Sequence, residues 1–133
     1  MSTEKKHLHF ISHTHWDREW YMSFESHRAR LVELFDTLIE TMEKTPDYKY
    51  FHMDGQTIVI EDSLEIKPFM KPRLDALIKA GRIQVGPWYV LQDEALISGE
   101  ANVRNMLEGF RFCKENGYPI TKIGYMPDAF ANH

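Results

Sequence analysis

The run Ser12-His13-Thr14-His15-Trp16-Asp17-Arg18-Glu19-Trp20 concentrates the side chains most suited to chemistry. It follows Leu8-His9-Phe10-Ile11, an apolar run that reads as a buried strand. Alternate side chains of an extended backbone share a face, so His13, His15 and Asp17 are expected to project together. Two imidazoles and a carboxylate converging from one strand end suit a divalent metal. Zinc fits this donor set best, with manganese or iron as alternatives. The spacing leaves open which of His13 and His15 binds. His7, His9, His27 and His52 read as ordinary surface or satisfied core groups.

The elements that must position this run follow in order. Leu31, Leu34, Phe35, Leu38 and Met42 form one apolar stripe of an amphipathic helix over about residues 25–44, which Thr45-Pro46-Asp47 ends. Residues 48–53 are aromatic-rich and short, a second strand, with Asp54-Gly55 as the turn behind it. Residues 57–66 fit a helix or an extended piece, because Ile58-Val59-Ile60 is β-branched. A helix from about Lys71 carries Leu74, Leu77 and Ile78 and stops at Gly81. Residues 82–85 read as a third strand, followed by Gly86-Pro87-Trp88-Tyr89 and the acidic pair Asp93-Glu94. Ser98 is the expected N-cap of a last helix, with Glu100 in its first turn. Its expected apolar face is Val103, Met106, Leu107, Phe110 and Cys113, and Gly117 and Pro119 close it. Residues 122–126 read as a fourth strand that delivers Pro127-Asp128-Ala129-Phe130.

Strand and helix alternate four times, which predicts an α/β fold: a parallel sheet with crossover helices. Ligand sites of such folds lie beyond the carboxyl ends of the strands. His15 and Asp17, Asp54, Trp88 with Asp93 and Glu94, and Asp128 all fall there. A closed eight-stranded α/β barrel takes about 250 residues. The 133 residues are therefore expected to form one partial domain, the first half of a (β/α) barrel-type catalytic domain.

Composition excludes several partners. A net charge of −4 with dispersed charges gives no case for nucleic acid or an anionic membrane surface. No apolar run approaches the roughly 18 residues needed to span a bilayer. The opening residues lack the apolar core of a secretion signal. The single Cys113 sits on a helix face that reads as core, so it is expected to pack and not to react. A cytoplasmic protein is the expectation.

If Asp128 joins His15 and Asp17 on one metal, three protein ligands result, the number a catalytic zinc site uses. Such a site could activate a hydroxide against an amide, ester or phosphate. Alternatively it could grip substrate hydroxyls while a carboxylate attacks carbon. Trp20, Trp88, Tyr89 and Phe130 near the strand ends favour a sugar, although each alone is best read as ordinary packing.

The run His13-Thr-His-Trp-Asp-Arg-Glu-Trp20, the middle Gly86-Pro87-Trp88 and the closing Tyr125-Met-Pro-Asp-Ala-Phe130 together resemble the α-mannosidases of glycoside hydrolase family 38. The form is closest to the bacterial members, which include mannosylglycerate hydrolases, and the likeness covers essentially the whole chain. The resemblance implies an amino-terminal α/β-barrel catalytic domain that holds one zinc ion and acts on mannose-containing carbohydrate. His15, Asp17 and Asp128 match the family's zinc ligands, and His13 matches a neighbour that does not bind. Asp128 also matches the nucleophile of a retaining mechanism through a covalent mannosyl-enzyme. Trp20 and Phe130 match aromatics lining the sugar subsite. The family's fourth ligand, a histidine, and its general acid, an aspartate, have their places beyond residue 133. The 133 residues alone are therefore expected to be inactive and to bind zinc poorly. Ala131-Asn132-His133 departs from the pattern, since many relatives carry glycine there.

Two rivals remain open from the residues. A metal-dependent amidohydrolase or deacetylase also places H-x-H after a first barrel strand, but expects more histidines at later strand ends. A non-catalytic sugar-binding domain would have no need of a nucleophile.

Overall fold

The computed structural model describes residues 5–127. Three short strands, β1 (Ser12–His13), β2 (Phe51–His52) and β3 (Ile83–Gln84), form a sheet in the order β1-β2-β3. Both pairings are parallel, with Ser12 opposite Phe51 and Phe51 opposite Ile83. The helices are α1 (Phe24–Lys44), α2 (Ile58–Ile66), α3 (Lys71–Lys79) and α4 (Gly99–Asn116). The predicted α/β alternation with crossover helices is what forms.

Sheet and helices share one core. Leu31, Phe35, Ile39 and Met42 of α1 meet Ile60 of α2, Leu74 and Ile78 of α3, and Ile83, all within 1% of full burial. Each such side chain contributes on the order of 1.5–3 kcal/mol by leaving water. The ambiguous stretch resolves as α2. Its β-branched run is helical because Ile58, Val59 and Ile60 are all buried, and burial outweighs a propensity difference of a few tenths of a kcal/mol. The amides of Thr57 and Ile58 donate to the Tyr89 carbonyl, so the start of α2 is anchored to the loop behind β3.

The edges of the expectation fail where partners are missing. Residues 8–11 are not a buried strand: Leu8, Phe10 and Ile11 are 77, 88 and 61% exposed. Continuing the β1–β2 register would set them opposite the turn that ends α1, which offers no ladder. The predicted fourth strand is also absent from the sheet. Residues 121–125 instead lie against the strand face carrying His13, His52 and Gln84. The Tyr125 ring lies 4.8 Å from that of His52, and the Trp88 indole donates to the Tyr125 carbonyl at 3.0 Å. These contacts hold the segment across the sheet instead of along its edge.

α4 begins and ends as expected: the Ser98 hydroxyl accepts from the Ala101 amide, and Gly117 caps the helix at φ +66°. Its buried face is rotated, however. Gly109, Phe112 and Cys113 face inward, while Val103 and Leu107 are 48 and 57% exposed. A Cβ on Gly109 would lie 2.2 Å from the Pro87 carbonyl oxygen. Backbone-to-backbone approach at Gly109 therefore decides which face turns in. Cys113 is 1% exposed and burial pushes its thiol up to about 11, in keeping with a packing role. Among the described residues no helix is long and apolar enough to cross a membrane.

Candidate active site

Because the strands are parallel, the segments following β1, β2 and β3 emerge on one side of the sheet. His15 and Asp17 follow β1, Asp54 and Gln56 follow β2, and Trp88 follows β3. The loop after β1 is fixed at both ends of the Trp16–Arg18 stretch. The Trp16 amide donates to Asp54 Oδ2 at 2.5 Å, and Gln56 Nε2 donates to the Trp16 carbonyl at 2.8 Å. Two residues on, Arg18 grips Asp62 of α2 through Nε at 2.7 Å and Nη2 at 2.8 Å. The Arg18 guanidinium also lies 4.8 Å over the Phe24 ring. The Asp62 side chain is 7% exposed, so the bidentate pair holds the loop where solvent competes little.

Around the Trp16 anchor, His15 Nε2 faces Asp17 Oδ1 at 3.7 Å, and His15 Nδ1 lies 3.4 Å from Asp54 Oδ1. Two donors held tetrahedrally about 2.1 Å from a zinc ion stand about 3.4 Å apart. The His15–Asp17 pair therefore suits one divalent ion. Among the described residues no group of three potential metal-binding side chains occurs. Asp54 does not supply a third ligand, because it addresses the opposite nitrogen of the ring. Asp128, expected as ligand and nucleophile, and Phe130, expected in the sugar subsite, lie outside the described residues.

Which histidine faces Asp17 is now legible. His13 turns to the other side, with its ring 6.3 Å from Tyr125 and its Nδ1 3.3 Å from the Tyr125 hydroxyl. The reason is the short strand: β1 ends at His13, so strict alternation does not continue to Asp17. Histidines 27 and 52 divide as well. His27 is buried edge-on to Trp16 and Tyr21, while His52 is half-buried with burial lowering its pKa.

Beside Asp17 opens a cleft of about 810 Å³, lined by Trp16, Arg18, Phe24, Gln56, Gln92 and Asp93 among others. Its far wall, residues 90–92, is held by amides. Asn105 exchanges hydrogen bonds with both backbone groups of Val90, and Gln56 Oε1 accepts from the Leu91 amide at 3.1 Å. The expected Trp20 is 75% exposed and stacks edge-on against Tyr21, away from the cleft lining. The Tyr89 hydroxyl donates to Glu61, and burial with that contact pushes it up to about 12. The cleft's aromatic surfaces are Trp16 and Phe24. Sequence reading overlooked both, together with Gln56 and the Arg18–Asp62 pair. Only the Asp54-Gly55-Gln56 turn at a strand end carried a signal for its part.

Asp54 is fully buried at φ +49°, and Gly55 follows at +63°. Burial pushes its carboxyl above the usual carboxylate range, while hydrogen bonds from the Trp16 amide, His15 and Gln56 pull it back.

Residues 5–132 match the model of the glycosyl hydrolases family 38 N-terminal domain. The chain is 51% identical over 126 residues to a protein named "Putative mannosylglycerate hydrolase" from Halalkalibacterium halodurans, covering 95% of this chain and 14% of that one. It is 31% identical to α-mannosidase G of Dictyostelium discoideum, over 90% of this chain and 11% of that protein. Among solved structures, an α-mannosidase from Enterococcus faecalis V583 superposes with a TM-score of 0.83 at 46% identity, over 89% of this chain and 13% of that one. The chain thus spans between 11 and 14% of the length of these relatives. On the family model over residues 5–132, the half-identical relative and the superposed structure, the chain belongs to glycoside hydrolase family 38, within its amino-terminal domain.

Proposed function

We propose that this chain is the part of a zinc-dependent, retaining α-mannosidase that carries one wall of the sugar site and part of the metal site. The observation that carries the reading is the His15–Asp17 pair, 3.7 Å apart at the carboxyl end of a parallel strand, with Asp17 on the lining of an aromatic-walled cleft. His15 and Asp17, with Asp128, would hold one divalent ion. When bound, that ion supplies a Lewis-acid grip on two adjacent sugar hydroxyls. Asp128 would attack the anomeric carbon, expelling the aglycone and leaving a mannosyl ester that water hydrolyses with retention. Trp16 offers a flat face for the C–H surface of a pyranose, Phe24 borders the cleft with Arg18 and Arg28 over its ring, and Phe130 would complete the sugar subsite. Arg18 keeps the loop carrying Asp17 in register through Asp62.

The substrate is a terminal α-mannoside, and the name of the half-identical relative makes mannosylglycerate one to assay beside glycans. A cytoplasmic location goes with this reading. The amidohydrolase alternative gains no support: the turns behind β2 and β3 supply Asp54, Gln56 and Trp88, not further histidines. The test is hydrolysis of a chromogenic α-mannoside and of mannosylglycerate by the full-length protein, with and without a strong chelator. Activity that falls on chelation and returns with zinc is expected. Turnover that a chelator leaves untouched would remove the metal from the mechanism, and inertness toward both substrates would remove the mannosidase reading.

A further inference from the structure

We propose that Asp54 is the positioning residue of the metal site, fixing His15 in the tautomer that leaves Nε2 able to ligate. The inference rests on the metal reading of His15 and Asp17 given above. It starts from geometry. Asp54 is 0% exposed, and it has the only positive φ of any non-glycine among the described residues. That backbone, continued by Gly55, turns the carboxylate back from β2 toward the loop after β1.

The two carboxylate oxygens have separate tasks. Oδ2 accepts from the Trp16 amide at 2.5 Å and from Gln56 Nε2 at 3.0 Å. Oδ1 faces His15 Nδ1 at 3.4 Å. A carboxylate only accepts, so the ring proton belongs on Nδ1. Nε2, directed at Asp17 Oδ1, is then the nitrogen whose lone pair meets a cation. Gln56 is itself fully buried. Its remaining contacts, to the Trp16 carbonyl and the Leu91 amide, tie the carboxylate's orientation to the cleft wall.

A merely structural acceptor would not need a charge here. Asparagine could keep the Trp16 and Gln56 bonds on its single oxygen, and it tolerates positive φ at least as well as aspartate. Its amide –NH2 would then point at His15 Nδ1. That nitrogen would have to accept, and the ring proton would move to Nε2, where a metal needs the lone pair. Alanine removes the acceptor but imposes no tautomer. The two substitutions are therefore expected to rank in opposite orders for folding and for metal binding.

The measurement is zinc affinity of the full-length protein, by competition with a chromogenic chelator, for the parent and for Asp54→Asn, Asp54→Ala and His15→Ala. Thermal melting of the metal-free forms is recorded alongside. His15→Ala should lose most of the affinity. Asp54→Asn should weaken zinc binding roughly ten- to a hundredfold, more than Asp54→Ala does, although Asp54→Ala melts lower. Zinc affinity of Asp54→Asn within twofold of the parent, or an affinity order that merely follows the melting order, overturns the proposal. So does an Asp54→Asn protein that fails to fold, since the carboxylate would then serve the structure. If His15→Ala leaves zinc affinity unchanged, the metal reading itself falls and takes this inference with it.

Discussion

At the scale of single residues, the charged pair Arg18–Asp62 anchors the loop that carries Asp17. Asp62 is nearly buried, so removing its hydrogen-bonded partner leaves its charge only the field of Arg28, while the Arg18 guanidinium is one-third exposed and screening reduces the loss. Arg18→Met is expected to cost about 2 kcal/mol, read as a shift in the urea midpoint. Adding Asp62→Asn should recover part of that loss, because the stranded charge is gone. Equal or greater loss in the double variant would mean that packing of the Arg18 stem over Phe24, not the ion pair, carries the effect.

At the scale of elements, Gly109 decides how α4 meets the loop behind β3. A side chain there has nowhere to go: the Pro87 oxygen, the Trp88 carbonyl carbon and the Tyr89 nitrogen all lie within 2.8 Å of its Cβ position. Gly109→Ala raises helix propensity by about 1 kcal/mol, yet overpacking costs roughly 1–3 kcal/mol. Net destabilisation is expected in chemical denaturation. A stabilised variant would show that α4 can slide away from residues 87–89 at no cost. The same contact explains why a helical wheel through Val103, Met106, Leu107 and Phe110 misplaces the buried face. Apolar periodicity marks where side chains gain by burial, whereas a glycine marks where two backbones touch. The line Asn105, Gly109, Phe112 and Cys113 follows the second rule.

At the scale of the molecule, acid stability has an identifiable source. Asp75 of α3 is partly buried, which alone would raise its carboxyl. Hydrogen bonds from the Tyr118 hydroxyl and the Lys71 ammonium outweigh burial and hold it below the usual carboxylate range. The contact joins α3 to the segment after α4. A depressed carboxyl contributes stability above the unfolded-state value of about 3.9 and loses it as pH falls through the lower folded value. Asp75→Asn is therefore expected to be less stable than the parent at pH 7. The difference should shrink as pH falls below about 4, measured by denaturant titration across pH. A difference constant with pH would assign the effect to the shape of the amide instead of the charge.

The sequence by itself determined what local pattern and chemistry can encode. The stripe of α1, the Ser98 cap, the Gly117 cap and each family motif are every one set by residues a few positions apart in the chain, and the order of such local signals spells out the α/β alternation. Tertiary structure decided whatever depends on a partner distant in the chain. Residues 8–11 carry the composition of a strand but face no strand, and residues 122–126 are held across the sheet by Trp88 and the ring of Tyr125. Residues 58–60 carry β-branched side chains, yet burial beside α1 makes them helical. The separation of His13 from His15 also came from the fold. One ring is drawn to Tyr125, 112 residues away, and the other to Asp54, 39 residues away. Side-chain identity fixes which contacts are chemically possible, and only the packed chain brings the two partners of each contact together.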